Sequence, residues 1–131
     1  MANTLVIGSY SQPVIPSDVI AWEVYEYHSR QVGVVTSSVE LEIGTVLAFD
    51  TGTNAWLPIT AATAATAQAV LVEKLTPQVV GSPENFKGQM MRRTCNLKDK
   101  GLIYPATLTA AQYDSMIASL EGFGIIVKHT V

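Results

Sequence analysis

Apolar and polar positions alternate in short bursts along most of this chain and switch to a helical period only near its end. From Leu108 the sequence reads Leu-Thr-Ala-Ala-Gln-Tyr-Asp-Ser-Met-Ile-Ala-Ser-Leu-Glu-Gly. Thr109 and Gln112 have capping-box spacing, and Leu108 and Tyr113 are placed to staple the first turn. Tyr113, Met116, Ile117 and Leu120 recur at i, i+3, i+4 and i+7, the apolar face of one helix. Gly122 is the expected left-handed stop. Ile125, Ile126 and Val127 read as a buried strand. A short helix returning into a strand needs a sheet to pack on, so the residues before it must supply one.

They carry the period of strands. Val19 to Tyr27 alternates in part, with aromatic residues for packing. Gln31 to Thr36 is a short strand around Val32, Val34 and Val35. Val39, Leu41 and Ile43 alternate with Glu40 and Glu42, the pattern of a half-buried strand. Val46 to Phe49 and Trp56 to Ile59 flank Asp50-Thr-Gly-Thr-Asn54, so Thr45 to Ile59 predicts a hairpin. Thr60 to Thr66 fits either a helical turn or a loop. Ala69 to Leu75 is a strand. Pro77 to Gly88 reads mostly as loop, and Gln89 to Asn96 as a strand with Met90 or Met91 inward. Asp99-Lys100-Gly101 is a turn before Leu102 to Tyr104. The pattern predicts an α+β, mainly β fold: a compact small β-sandwich or barrel-like domain over 18–131 with one C-terminal helix. Residues 1–17 form an extended N-terminal arm, because Pro13 and Pro16 forbid a helix. The arm has two readings, a frayed terminus or a strand that pairs with a neighbour's sheet edge.

Composition sharpens the second reading. At 131 residues the chain is one domain by length. Charged residues are 15%, against about 25% in a typical soluble domain. Uncharged surface on that scale implies partners that cover it. The arm before Asp18 has no charged side chain at all. No secretory signal is read in residues 1–17. Thr51 to Val72 is charge-free and long enough for a membrane span, but its threonines, Asn54, Pro58 and Gln68 argue for a surface segment.

Candidate chemistry is sparse. His28 and His129 have no metal-ligand spacing around them. Cys95 is the single cysteine, which excludes an internal disulfide, and it lacks a nucleophile signature. No phosphate loop is present, and Glu40 with Glu42 reads as a solvated face. The reading is therefore not an enzyme, with no catalytic residue, cofactor or metal. A net charge of −3 gives no general attraction to nucleic acid. The charges are nonetheless sorted. Asp18, Glu23, Glu26, Glu40, Glu42 and Asp50 precede a basic run of Lys87, Arg92, Arg93, Lys98 and Lys100. Either these are two solvated faces, or Arg92, Arg93, Lys98 and Lys100 are assembly contacts that meet an acidic patch of a neighbour.

Three motifs then point to a family. They are Ile43-Gly-Thr-Val-Leu-Ala-Phe-Asp50 with Trp56-Leu-Pro-Ile59, Ala67-Gln-Ala-Val-Leu-Val-Glu73, and Leu120-Glu-Gly-Phe-Gly-Ile-Ile-Val-Lys128. In order and spacing, across roughly residues 39–131, the chain resembles the lambda-like head decoration (capsid cement) proteins of bacteriophages. That resemblance implies a structural virion protein on the capsid outer surface, made in the host cytoplasm. It implies a homotrimer at three-fold sites, with the major capsid protein as partner and no contact with nucleic acid or membrane. It also implies an arm that orders against capsid protein, for which Leu5, Val6, Ile7 and Tyr10 are the candidates. The competing reading is a head-fibre or tail-associated β module that binds a receptor or glycan.

Overall fold

In the computed structural model the residues described are 15–24 and 26–129. The arm residues Leu5, Val6, Ile7 and Tyr10 lie outside them. The chain enters through a 3-10 turn, Pro16–Asp18, into β1 (Ile20–Glu23), then α1 (Glu26–Ser29) and β2 (Arg30–Ser37). β3 (Val46–Asp50) and β4 (Ala55–Pro58) form the expected hairpin. β5 (Ala67–Leu71), β6 (Glu84–Met91), β7 (Cys95–Lys98), α2 (Ala110–Gly122) and β8 (Ile125–Lys128) follow.

Five strands close into a barrel in the order β2-β4-β3-β5-β6. β2 and β6 pair antiparallel along their full length, from Arg30 opposite Met91 to Ser37 opposite Glu84. β4 closes the ring by a parallel pairing with β2 at Val35 and Trp56. The other three strands make a second sheet, β1-β7-β8.

Alternation on β3 splits the core in two. Leu47 joins Val35, Trp56, Leu71 and Met90 in the inner cluster of the barrel. Val46 and Ala48 point the other way, into a cluster with Met116 and Leu120 of α2 and Cys95, Leu97 and Ile125 of the second sheet. The inner cluster needs space for an indole. Gly33 supplies it, and Gly88, opposite it across β2 and β6, makes room for Val35, Leu71 and Leu75. A Cβ on Gly33 would sit 2.8 Å from Trp56 Nε1, and one on Gly88 3.0 Å from Val35 Cγ2.

Several local expectations are corrected. Val39 to Ile43 is not a strand. Leu41 and Ile43 are buried as the alternation requires, but only Leu41 bridges, to Leu75. The Ser37 hydroxyl donates to the Val39 carbonyl at 2.7 Å and accepts from its N–H at 3.1 Å. This local turn takes the backbone out of extended pairing. β1 stops at Glu23, and Trp22 is 52% exposed rather than packed. A register irregularity between Ile20 and Trp22 turns the indole outward. β6 begins at Glu84, inside the expected loop, because β2 offers it a full-length partner. The strand expected over Gln89 to Asn96 is broken after Met91. Thr94, at φ 40°, redirects the chain from the barrel into the second sheet. Met90 and Met91 are both fully buried, one in each cluster. Leu102 to Tyr104 contributes one bridge, Ile103 to Thr45, and no strand.

The closing unit keeps its capping box. Thr109 Oγ1 accepts from the Gln112 N–H at 3.2 Å, and Gln112 Oε1 accepts from the Thr109 N–H at 2.9 Å. Met116 and Leu120 are fully buried, with Tyr113 and Ile117 beside them. The stop falls at Gly124 (φ 82°), not Gly122, because the helix runs to Gly122, two residues past Leu120, the last of its apolar face. β8 is an edge strand on β7, so only Ile125 of its three apolar residues is fully buried.

Candidate functional site

The basic run predicted as assembly contacts is placed in two different settings. Arg92 leaves the end of β6 and lies between two rings. Its guanidinium carbon is 5.2 Å from the Trp56 centroid and 5.1 Å from that of Phe123. Nη1 donates to the Gln68 carbonyl at 3.3 Å. That carbonyl is free because Gln68 is bulged: Leu47 pairs with Ala69 and Ala48 with Ala67, which skips it. Arg92 Nε is buried with no hydrogen-bond partner. Burial, and then the charge of Arg93, lower the Arg92 pKa from its ordinary value. Arg93 reaches across to α1 and β2, donating to the His28 carbonyl at 2.6 Å and to Gln31 Oε1 at 3.4 Å. Both arginines therefore brace the fold.

Lys98 and Lys100 sit at the root of the arm. Lys98 Nζ donates to the Ser17 carbonyl at 2.8 Å, and the Lys98 N–H donates to the Val19 carbonyl at 2.7 Å. Asp18 Oδ2 accepts from the Ile15 N–H at 2.9 Å. Gly101 lies against Val19, and a Cβ on Gly44 would run into the Gly101 carbonyl. Three backbone segments thus meet where the chain leaves residue 15, so the arm starts from a fixed point. Lys100 is exposed beside it.

The acidic residues are likewise engaged. Glu23 forms a two-pronged ion pair with Arg30 at 2.7 and 3.0 Å. Such a pair adds orientation as well as energy. Glu40 and Glu42 share Lys74 at 3.5 and 3.7 Å. They form the rim of a groove of about 340 Å³, floored by Leu41, Val46 and Ile59 and walled by Ile103 and Tyr104. Beyond Leu75 the loop between β5 and β6 exposes Val79 by 65% and Val80 by 82%. The sequence reads this stretch as loop, and the signal of its exposed face is a pair of valines between Pro77 and Pro83.

Among the described residues no group of three or more His, Cys, Asp or Glu is arranged to hold a metal. No described helix is long and apolar enough to cross a membrane. Cys95 is buried, and burial, then the charge of Glu23, push its thiol pKa up to about 12.

Among the described residues the surface thus carries an acidic-rimmed groove, an exposed valine pair and a tied-down segment at Ile15 to Val19. The family model for bacteriophage lambda head decoration protein D matches residues 9–125. The chain belongs to that family. No curated protein matches it. Head decoration is a structural role in the virion. The family match takes in the end of the arm, the barrel, β1 and β7 of the second sheet, and α2, and ends at the first residue of β8.

Proposed function

We propose that this protein clamps the outside of an expanded icosahedral phage head, as a homotrimer at three-fold positions, and holds the shell against the pressure of packaged DNA. The family match over residues 9–125 carries this reading. A low share of charged residues and an uncharged arm support it. The partner is the major capsid protein. Leu5, Val6, Ile7 and Tyr10 add to an edge of that protein, with Tyr10 as the anchor. The pinned segment at Ile15 to Val19 gives the arm a rigid base to pull against.

The mechanism is linkage. A ligand that binds only the expanded shell stabilises it by mass action, about 2.7 kcal/mol at a free concentration 100 times Kd. Three arms on one trimer raise the effective concentration of each and gain avidity. The test mixes purified protein with expanded, undecorated heads. Co-pelleting that is lost on deleting residues 2–16 supports the clamp. Trimers that leave the heads in the supernatant, unbound, overturn it.

A further inference from the structure

We propose that the outward face of the β1-β7-β8 sheet is a second capsid contact, one that takes a carboxylate-bearing, partly apolar surface of the major capsid protein. The inference rests on the clamp reading and names the surface that acts beside the arm.

The strand registers assemble this face. Trp22 lies opposite Asn96, and Asn96 opposite Ile126, so the three form one row across the sheet. Two residues along, Lys98 lies opposite Lys128 on the same side. The alternate residues Cys95, Leu97 and Ile125 turn the other way, into the cluster with α2. Trp22 is 52% exposed, and neither it nor Ile126 joins a core cluster.

The chemistry of the face selects its occupant. Like charges directly opposite each other destabilise a sheet, yet Lys98 and Lys128 are placed in this way. The Lys98 ammonium donates to the Ser17 carbonyl at 2.8 Å. Among the described residues no carboxylate forms an ion pair with either lysine. A carboxylate arriving from outside relieves the repulsion, and a further cation adds to it. Beside this basic row Trp22 offers an aromatic anchor of the kind that dominates binding at protein interfaces, and Ile126 widens its apolar footing. The complement is an acidic patch next to an apolar side chain. A chain of net charge −3 has no general pull on polyanions, so a protein carboxylate fits better than nucleic acid.

The position of the face ties it to the shell rather than to another copy. Lys98 holds the Ser17 carbonyl at the root of the arm, and β1, the strand that follows the arm, is an edge strand of this sheet. Arm and face therefore meet at one place, and a capsid protein gripped by the arm is brought against the face.

The test uses the full-length chain, arm intact, with expanded, undecorated heads. Lys128→Glu and Trp22→Ala are made separately, and head binding, oligomeric state and melting are read for each. Each variant should bind heads at least tenfold more weakly and keep the wild-type oligomeric state. Lys128→Glu should melt at or above the wild-type temperature, because it replaces a like-charge pair with an attractive one. Weaker binding by a protein that is no less stable is not a folding defect. Added salt should weaken wild-type binding more steeply than that of Lys128→Glu. Head binding at the wild-type level by either variant overturns the proposal. So does a variant that loses its oligomeric state, because the face then meets another copy. Failure of the clamp reading is seen separately, as wild-type protein that does not pellet with heads.

Discussion

Arg92 holds its guanidinium carbon 5.2 Å from the centre of the Trp56 ring, so a charged side chain covers an indole that belongs to the barrel's inner cluster. The ring of Phe123, one residue past α2, is 5.1 Å from the same cation. One arginine thus joins the barrel to the end of the helix. Charge-reversal of Arg92 would test the fold before it tested assembly. Exposed Lys100 is the cleaner probe of an electrostatic contact between copies.

Arg92→Ala should therefore destabilise the protein by about 1–2 kcal/mol, the range of a partly desolvated cation–π contact plus lost stem packing. Arg92→Lys should fall between the two, since an ammonium keeps the charge but not the flat stack. Urea unfolding followed by Trp56 emission in a Trp22→Phe background reads this directly. Equal midpoints for all three proteins would show that the stack contributes nothing.

Two glycines should respond in opposite directions. Gly44 has φ 104°, and a Cβ there would strike the backbone carbonyl of Gly101, which cannot rotate away. Gly44→Ala should cost about 3 kcal/mol or more. Gly122 lies inside α2 with open space around its Cβ position. Gly122→Ala should gain about 0.5 kcal/mol, part of the usual difference in helix propensity. Thermal melts of the two variants should move apart from wild type on either side. A stabilised Gly44→Ala would contradict the close approach at the root of the arm.

The pattern of residues made α2, β8 and the β3–β4 hairpin legible, because capping and periodicity are local. It did not show that β6 starts at Glu84. The Pro77–Gly88 stretch is rich in loop formers, and only the partner strand β2 makes it extended. Nor did it show the break at Thr94 or the outward turn of Trp22, both set by how two sheets join. The basic run was legible as composition but not as geometry. Arg92 and Arg93 are consumed by a bulge at Gln68, a carbonyl at His28 and two rings, none of which is near them in sequence. The exposed face of Val79 and Val80 stayed unread because exposure is invisible to periodicity.

Thr94 is a second place where the fold stores strain. A β-branched residue at φ 40° costs about 1–2 kcal/mol relative to its extended form. Its carbonyl accepts from the fully buried Ser29 hydroxyl at 2.9 Å, which needs no Thr side chain. Thr94→Gly should relieve the strain and give back about 0.5–1 kcal/mol as unfolded-state entropy. The net expectation is a gain of about 0.5–1 kcal/mol. Denaturant midpoints decide it. A clear loss would mean that the 3.3 Å contact of Thr94 Oγ1 with His28 Nε2 outweighs the backbone strain.

Cys95 gives the last prediction, through pH. Its thiol pKa is pushed up to about 12 in the fold from an ordinary 9.0, first by burial and then by the charge of Glu23. A group whose folded pKa is raised contributes stability that is fully present below the unfolded pKa. That stability is lost as pH rises through the window up to the folded pKa, because the unfolded chain releases the proton first. Stability should therefore hold to pH 9 and then fall, by at most about 1.4 kcal/mol per pH unit from this group. Tyr113, also raised by burial, acts in the same direction. Cys95→Ala removes the thiol's share, so the wild-type and variant stability curves should converge between pH 9 and pH 12, after a constant offset below pH 9. Below pH 9 the wild-type thiol should label with a thiol reagent only at the rate of unfolding. Rapid labelling of native protein at neutral pH would mean that Cys95 is not sealed in the cluster between α2 and the second sheet.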